Sequence, residues 1–142
     1  MVQEIPLDFH IHKVIQEEGY KIHYVSIFPL HDGCVDIIEK ETDSEIIFQD
    51  NGDTCCTLAI NNGREIREYP ISLVNRFKKI CEFYDVEYTE NPEHTIFELQ
   101  IRVQKNQYSG IAFAKEDGFG KLLIVILNAY PMFILYQSQK KK

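Results

Sequence analysis

The chain has 142 residues and a formal net charge of −7, with 44% hydrophobic and 26% charged residues. This ordinary globular composition excludes an intrinsically disordered chain, a repeat array and a coiled coil. The negative charge also disfavours direct nucleic-acid binding, which needs clustered lysine and arginine against the phosphates. We expect one domain over residues 1–142, with a polar, basic tail at 137–142.

The first predicted elements are three short strands joined by tight turns. Residues 20–28 are rich in β-branched and aromatic side chains, and Pro29 ends this run because it cannot donate to a β-ladder. The runs 34–40 and 45–49 follow, separated by a polar loop at 41–44. Short strands with turns between them are typical of an antiparallel meander.

Two helices are predicted next. Residues 54–60 form a short helix, for which Asp53 or Thr54 is the candidate N-cap and Gly63 marks the end. A longer amphipathic helix spans about 70–84, because a proline suits its first turn and apolar residues then recur with a 3.6-residue period. The apolar stripe consists of Leu73, Val74, Phe77, Ile80, Cys81 and Tyr84.

The C-terminal part gives mixed signals. Residues 95–104 alternate between apolar and polar side chains, which predicts a half-buried strand. Residues 111–121 fit either a hairpin turn or the beginning of a helix. The apolar stretch 122–136 is shorter than a membrane span, so we interpret it as buried core, with a short tail anchor as the alternative. Pro131 is expected to end or kink it.

One segment resembles a known protein family. Residues 45–54 read Glu-Ile-Ile-Phe-Gln-Asp-Asn-Gly-Asp-Thr, an apolar strand that runs into Asp-(Asp/Asn)-Gly-x-Thr, and residues 29–33 read Pro-Leu-His-Asp-Gly. With the short segment ending in glycine and the amphipathic helix that follow, this pattern resembles the family called domain of unknown function 1828 over about residues 20–104. Its members are short prokaryotic, prophage and mobile-element proteins without an established activity. The resemblance therefore implies a genetic context, and it favours a helix in the C-terminal segment.

These elements predict an α+β fold. A small antiparallel sheet carries the 70–84 helix and a C-terminal helix packed on one face. The apolar C-terminal region is also a candidate surface for a homodimer.

Acidic residues are concentrated in the first half of the chain. Residues 1–63 carry a formal charge of −9, whereas residues 64–142 carry +2. The ordinary interpretation is a solvated face, and the functional one is an acidic surface that attracts a basic partner. The candidate binding residues are Asp32, Asp36, Glu39, Glu41, Asp43, Glu45, Asp50 and Asp53.

Catalytic and metal-binding patterns are sparse. Asp36, Asp50 and Asp53 supply the residue types of a metal-dependent hydrolase or nuclease, without a recognisable spacing. The Asp50 turn does not fit a calcium loop, because the twelfth position is Asn61 and not glutamate. The glycine-rich run 118–121 lacks most of a phosphate-binding loop.

Histidines and cysteines give weaker signals. His10 and His12 would lie with Asp8 on one side of a strand, with His31 or His94 as a third zinc ligand, although surface histidines are the more common interpretation. The cysteines form no Cys-x-x-Cys pair, so we expect reduced, mostly buried thiols in a cytoplasmic protein. A cysteine nucleophile with His23 is the alternative. The cysteines are Cys34, Cys55, Cys56 and Cys81.

Two functional hypotheses follow. The first is a non-catalytic binding protein of a phage or mobile element, such as an inhibitor of a host defence system, which occludes a host protein or protein–nucleic acid complex with a basic surface. The second is the small metal-dependent hydrolase or nuclease. The first hypothesis requires no cofactor, no metal and no membrane, and the sequence contains no secretory signal pattern.

Overall fold

The computed structural model describes residues 8–28, 34–107 and 110–140. These residues form one six-stranded antiparallel sheet, three α-helices and two short 3₁₀ helices. The order of the strands across the sheet is β1-β2-β3-β4-β6-β5. The strands are β1 Asp8–Glu17, β2 Tyr20–Phe28, β3 Cys34–Glu41, β4 Glu45–Gln49, β5 Val86–Glu90 and β6 Phe97–Gln104. The helices are α1 Asp53–Asn62, α2 Ile71–Phe83 and α3 Ile111–Lys140, and the 3₁₀ helices are Ile66–Glu68 and Lys105–Gln107.

The predicted α+β architecture is confirmed. The meander corresponds to β2, β3 and β4, and the alternating segment 95–104 contains β6. Two strands were not predicted, the edge strands β1 and β5. The sequence of β5, Val-Glu-Tyr-Thr-Glu, alternates but is only five residues long, so its pairing with β6 is what defines it.

The core lies on one face of the sheet. The register places Phe48 opposite Ile101 and Ile101 opposite Val86, and all three side chains are buried. The neighbouring residues in the same register, Gln49 and Gln100, lie on the other face and remain partly exposed. Helix α3 contacts both α1 and α2, and each of the three helices also contacts strands of the sheet. The fold therefore has two layers, with helices on one side of the sheet.

Helix α1 begins differently from the expectation. The N-cap is Gly52, with a left-handed φ of 81°, and neither Asp53 nor Thr54 caps the helix. The carboxylate of Asp50 instead accepts hydrogen bonds from the amides of Gly52 and Thr54, at 3.0 and 3.4 Å. Gly63 ends α1 in the left-handed conformation, as predicted.

Helix α2 confirms the amphipathic prediction. Leu73, Val74, Phe77 and Cys81 are buried, whereas Pro70 lies at the N-cap and not in the first turn. Helix α2 packs against β5 and against α3.

Helix α3 is longer than the sequence indicated. It includes the whole of 111–121, so the hairpin alternative for that segment is wrong. It also continues past Pro131. The proline removes one amide donor from the helix, and tertiary packing holds the next turn, in which Phe133 is fully buried. The backbone of the predicted tail is helical as far as Lys140, and the last two residues lie outside the described part of the chain.

The central part of α3 is the core helix of this fold. Leu122, Val125, Ile126, Tyr130 and Phe133 are all buried. Residues Ile111–Ile134 are long and apolar enough to cross a membrane by length and composition, yet 44% of the most apolar part is already buried inside the fold. This burial supports the interpretation of 122–136 as core.

Candidate functional site

The eight predicted acidic residues do not share one surface. Asp32 lies outside the described residues. Along β3, Asp36 lies on the outer face of the sheet, while Glu39 lies on the helix-covered face, because successive residues of a strand alternate. Asp43 lies in the β3–β4 turn, and Asp50 follows β4. Each carboxylate therefore has a different environment.

Glu39 is a buried charge with partners. Its side chain is 6% exposed and lies 2.8 Å from His23 Nε2 and 3.2 Å from Lys115 Nζ. The hydrogen bond with His23, supported by Lys115, lowers the pKa of this carboxyl in spite of its burial. The rings of Phe48 and Phe119 lie next to His23, with centroid distances of 6.3 and 4.9 Å. Glu39 thus joins α3 to the sheet, and its carboxylate is not presented to a partner.

Glu41 and Glu45 are neutralised by cations from the second half of the chain. Glu41 lies 2.9 Å from Lys105 Nζ and 3.3 Å from Lys115 Nζ. The hydrogen bonds with these lysines, that with Lys105 first, lower the pKa of Glu41. Glu45 accepts hydrogen bonds from Arg102 and Gln104 at 2.9 and 3.0 Å. Glu41 therefore joins β3 to the 3₁₀ helix Lys105–Gln107 and to α3, and Glu45 joins β4 to β6 within the sheet.

Asp50 has a structural role. It is fully buried, and its Oδ1 accepts the amides of Gly52 at 3.0 Å and Leu99 at 2.9 Å. Burial raises the pKa of this carboxyl. Asp50 thus stabilises the turn that precedes α1, and its contact with Leu99 also joins the start of α1 to β6.

Asp36 and Asp53 form a second type of contact. The backbone amide of Asp36 donates to Asp53 Oδ2 at 2.9 Å, so the Asp53 carboxylate joins the start of α1 to the backbone of β3. Burial raises the pKa of both groups, and the neighbouring Asp36 raises that of Asp53 further. Within the described residues, no cation lies at ion-pair distance from either carboxylate or from the exposed Asp43.

A metal-dependent site is not assembled by these groups. Among the described residues, no three histidine, cysteine, aspartate or glutamate side chains come together as metal ligands. Asp50 already uses its oxygens to accept backbone amides, which leaves Asp36 and Asp53 as a pair. Two-metal chemistry needs several convergent ligands, so this arrangement offers no support for the hydrolase hypothesis.

The described residues bear on only part of the alternative histidine site. A register shift in β1 between Ile11 and Lys13 leaves His12 without a cross-strand partner, whereas His10 pairs with Ser26, so the strict alternation assumed for the pair is broken. The side chains of Asp8, His10 and His12, and all of His31, lie outside the description. His94 follows β5, which lies five strand spacings or about 24 Å from β1, and it cannot be the third ligand.

The thiols show no activation. Burial raises the pKa of Cys55 to about 11 and that of Cys81 to about 12. Cys56 is exposed, and burial of its sulfur together with the nearby Asp53 raises its pKa. Since the thiolate is the nucleophile, these values disfavour a cysteine–histidine pair. Cys55, Cys56 and Cys81 are free, as predicted, and the side chain of Cys34 is not described.

The structure reveals one surface that the sequence analysis missed. A groove of about 790 Å³ runs between α2 and the edge strand β5. Its walls are Lys78, Cys81 and Glu82 on one side and residues 85–90 on the other, and we call it the acidic groove. The alternation of Val86 and Tyr88 with Glu87 and Thr89 was the sequence signal that could have identified this strand.

Comparisons with protein-family models, with curated proteins and with solved structures found no match to this chain. The resemblance to domain of unknown function 1828 therefore stays a prediction.

Proposed function

We propose that this chain is a non-catalytic binding protein of a phage or mobile element, which occludes a basic surface on a host protein or protein–nucleic acid complex. A host-defence inhibitor is the specific form of this proposal. The genetic context comes from the resemblance over residues 20–104, and the mode of action comes from the distribution of charge. The proposal places the protein in the cytoplasm and requires no cofactor.

The observation that carries the proposal is an excess of negative charge that the fold does not neutralise. Residues 34–63 contain seven carboxylates and one lysine, Lys40. The cations that approach them, Arg102, Lys105 and Lys115, pair with Glu39, Glu41 and Glu45 only. Among the described residues, Asp36, Asp43, Asp50 and Asp53 are left without a cation at ion-pair distance. Asp50 is fully buried, and we call the other three the acidic strip.

The acidic strip suits a macromolecular partner better than a small ligand. Asp36 and Asp43 stand seven residues apart along β3 and its turn, which corresponds to about 23 Å of extended chain. Such a spread approaches the width of a standard protein interface and exceeds the reach of a small molecule. The exposed Asp43 and the partly buried Asp36 and Asp53 would mainly steer a basic partner into position and accelerate association.

Direct nucleic-acid binding is not part of the proposal. The only internal basic cluster of the sequence lies on α2 and consists of Arg76, Lys78 and Lys79. Of these, Lys78 lies 3.8 Å from Glu90 and 5.2 Å from the centre of the Tyr88 ring, so it is already engaged within the fold. A homodimer through the apolar C-terminal region stays a prediction. On α3 the exposed apolar side chains are Ile111, Phe113 and Ile124, while most of its apolar residues lie in the core.

The test removes charge without changing shape. A triple variant Asp36→Asn, Asp43→Asn and Asp53→Asn is compared with wild type in capture from host lysate and then in titration of the captured protein at low and moderate salt. We expect weaker binding by the variant, and weaker binding of wild type as salt rises, because exposed charges are screened beyond about 8 Å at physiological ionic strength.

The matched control removes three exposed carboxylates elsewhere, in the variant Glu18→Gln, Glu68→Gln and Glu116→Gln. It has the same net charge as the acidic-strip variant, so a general charge effect would affect both equally. Equal affinity of both variants and wild type, without salt dependence, would refute a role of the acidic strip. Circular dichroism checks that both variants keep the wild-type fold.

A further inference from the structure

Strand β5 presents a free edge to the acidic groove. Among residues 8–28, 34–107 and 110–140, it is the last strand of the sheet and pairs only with β6. Six successive residues, 85–90, line the groove. Successive side chains of a strand point to opposite faces of a sheet, so a groove on one face would contact only every second residue. A groove that contacts six consecutive residues therefore runs along the edge of the strand. The unpaired backbone groups of β5 therefore lie along the groove.

The groove carries a net negative charge. Its charged lining residues are Lys78, Glu82, Asp85, Glu87 and Glu90. Lys78 lies 3.8 Å from Glu90, which also lies 2.6 Å from His94 Nδ1, so this corner is neutralised internally. Asp85 is 80% exposed, with its nearest cation at 4.0 Å, and the exposed Glu82 has no ion-pair partner within the described part of the chain. Glu87 lies 3.8 Å from Arg102 Nε, which also pairs with Glu45, and its side chain is 56% exposed. The groove therefore keeps a net negative charge that is accessible to solvent.

We propose that the acidic groove binds an extended, lysine- and arginine-rich segment of another protein, which adds a strand to the sheet at β5. The backbone of the segment would pair with the free edge, as in other cases of strand addition, and its basic side chains would approach Glu82 and Glu87. This inference goes beyond the proposed function, because none of the acidic strip takes part in it.

The negative charge along the edge of β5 determines which kind of segment can pair there. Short, charged edge strands protect a sheet from pairing with a second copy of itself, since like charges would face each other across the new ladder. An acidic segment is disfavoured for the same reason. A basic segment meets opposite charge at Glu82, Asp85 and Glu87 and is the occupant that this edge accepts.

The experiment uses the full chain and a defined probe. A capped nine-residue peptide of alternating lysine and valine, labelled with a fluorophore, is titrated by fluorescence anisotropy. Two further peptides serve as controls: one has glutamate in place of lysine, and one is fully N-methylated, which keeps the charge but removes the backbone donors. We expect binding of the first peptide only, together with slower hydrogen exchange of the Val86–Glu90 amides.

A pair of variants tests the site. Glu82→Gln with Glu87→Gln should weaken peptide binding about fivefold, in line with the modest energies of exposed ion pairs. Glu68→Gln with Glu116→Gln, which removes the same charge elsewhere, should leave it unchanged. Equal binding of the N-methylated peptide, equal binding of the acidic peptide or an equal loss in both variants would overturn the proposal.

Self-association is a separate outcome. A dimer of the free protein that dissociates when the peptide is added would show that a second copy occupies the groove, and this would also overturn the proposal. The acidic-strip variant keeps Glu82 and Glu87, so its result is independent. Loss of host capture in that variant with no peptide binding at the groove would refute this inference and leave the proposed function intact.

Discussion

Gly118 allows α3 to approach the sheet, and replacing it by alanine should push the two apart. A Cβ added at Gly118 would stand 2.4 Å from Val103 Cγ2 and 3.3 Å from Phe48 Cε2. Carbon atoms in contact normally lie about 3.5–4.0 Å apart, so the new methyl would overlap Val103 by more than about 1 Å. Val103 is buried and β-branched, which leaves it little freedom to rotate away.

Two terms determine the size of the effect. Overpacking of a closed core costs about 1–3 kcal/mol, and an overlap this large belongs at the upper end. The same substitution contributes about 1 kcal/mol of helix propensity. We therefore expect Gly118→Ala to lower the free energy of unfolding by about 2 kcal/mol.

Gly120 supplies the matched control, since it lies in the same helix and a Cβ there would meet nothing within 4 Å. Gly120→Ala should raise the free energy of unfolding by up to about 1 kcal/mol, which places the two variants about 3 kcal/mol apart. Helix propensity contributes equally to both variants, so their difference isolates the steric term.

Urea denaturation followed by circular dichroism measures both free energies. A second comparison in a Val103→Ala background removes the obstructing methyl, and there the penalty of Gly118→Ala should largely disappear. If Gly118→Ala were as stable as Gly120→Ala, or if its penalty were unchanged without Val103 Cγ2, the steric argument would be refuted.

Three further predictions concern the core, the thiols and acid stability. Phe77→Ala should destabilise the fold by about 3–5 kcal/mol in thermal melts, because this fully buried ring lies 5.5 Å from two other phenylalanine rings; a loss below about 1 kcal/mol would contradict its core position. A reductant should leave the melting temperature unchanged, and a clear drop would reveal a disulfide. The hydrogen bond with His23 and the charge of Lys115 lower the pKa of Glu39 from its ordinary value of 4.5, so its stabilising contribution is present above that value and is lost as the pH falls through the lowered pKa. Urea titrations should therefore show Glu39→Gln less stable than wild type at neutral pH and converging with it in acid; a constant difference would contradict this assignment.

Local signals predicted those parts of the fold that local interactions determine. The 3.6-residue stripe of α2 and the turns between β2, β3 and β4 depend on residues within a few positions of each other, and these elements were predicted correctly. The N-cap of α1 was predicted wrongly: it is Gly52, and Asp50 accepts the nearby amides of Gly52 and Thr54 in place of a capping side chain at Asp53 or Thr54. Asp50 also accepts the amide of Leu99, 49 residues further along the chain, and no local pattern of capping residues contains that contact. The continuation of α3 past Pro131 likewise depends on packing that a single segment does not show.

The acidic residues show the same limit for function. The two halves of the sequence differ strongly in charge, yet the fold brings Lys105 and Lys115 from the second half onto Glu39 and Glu41 of the first. The charge that the surface presents is the charge left after such ion pairs have formed. It therefore depends on the folded chain and cannot be read from the charge of one segment. Asp36, Asp43 and Asp53 remain by this criterion, whereas Glu39 is paired and Asp50 is buried away from the surface. Glu82 enters by the same criterion, although the second half of the chain is positive in total, whereas Glu87 shares Arg102 with Glu45. The two proposed interfaces therefore rest on carboxylates at the surface of the folded chain, and the neutralising variants of the acidic strip and the acidic groove test those residues directly.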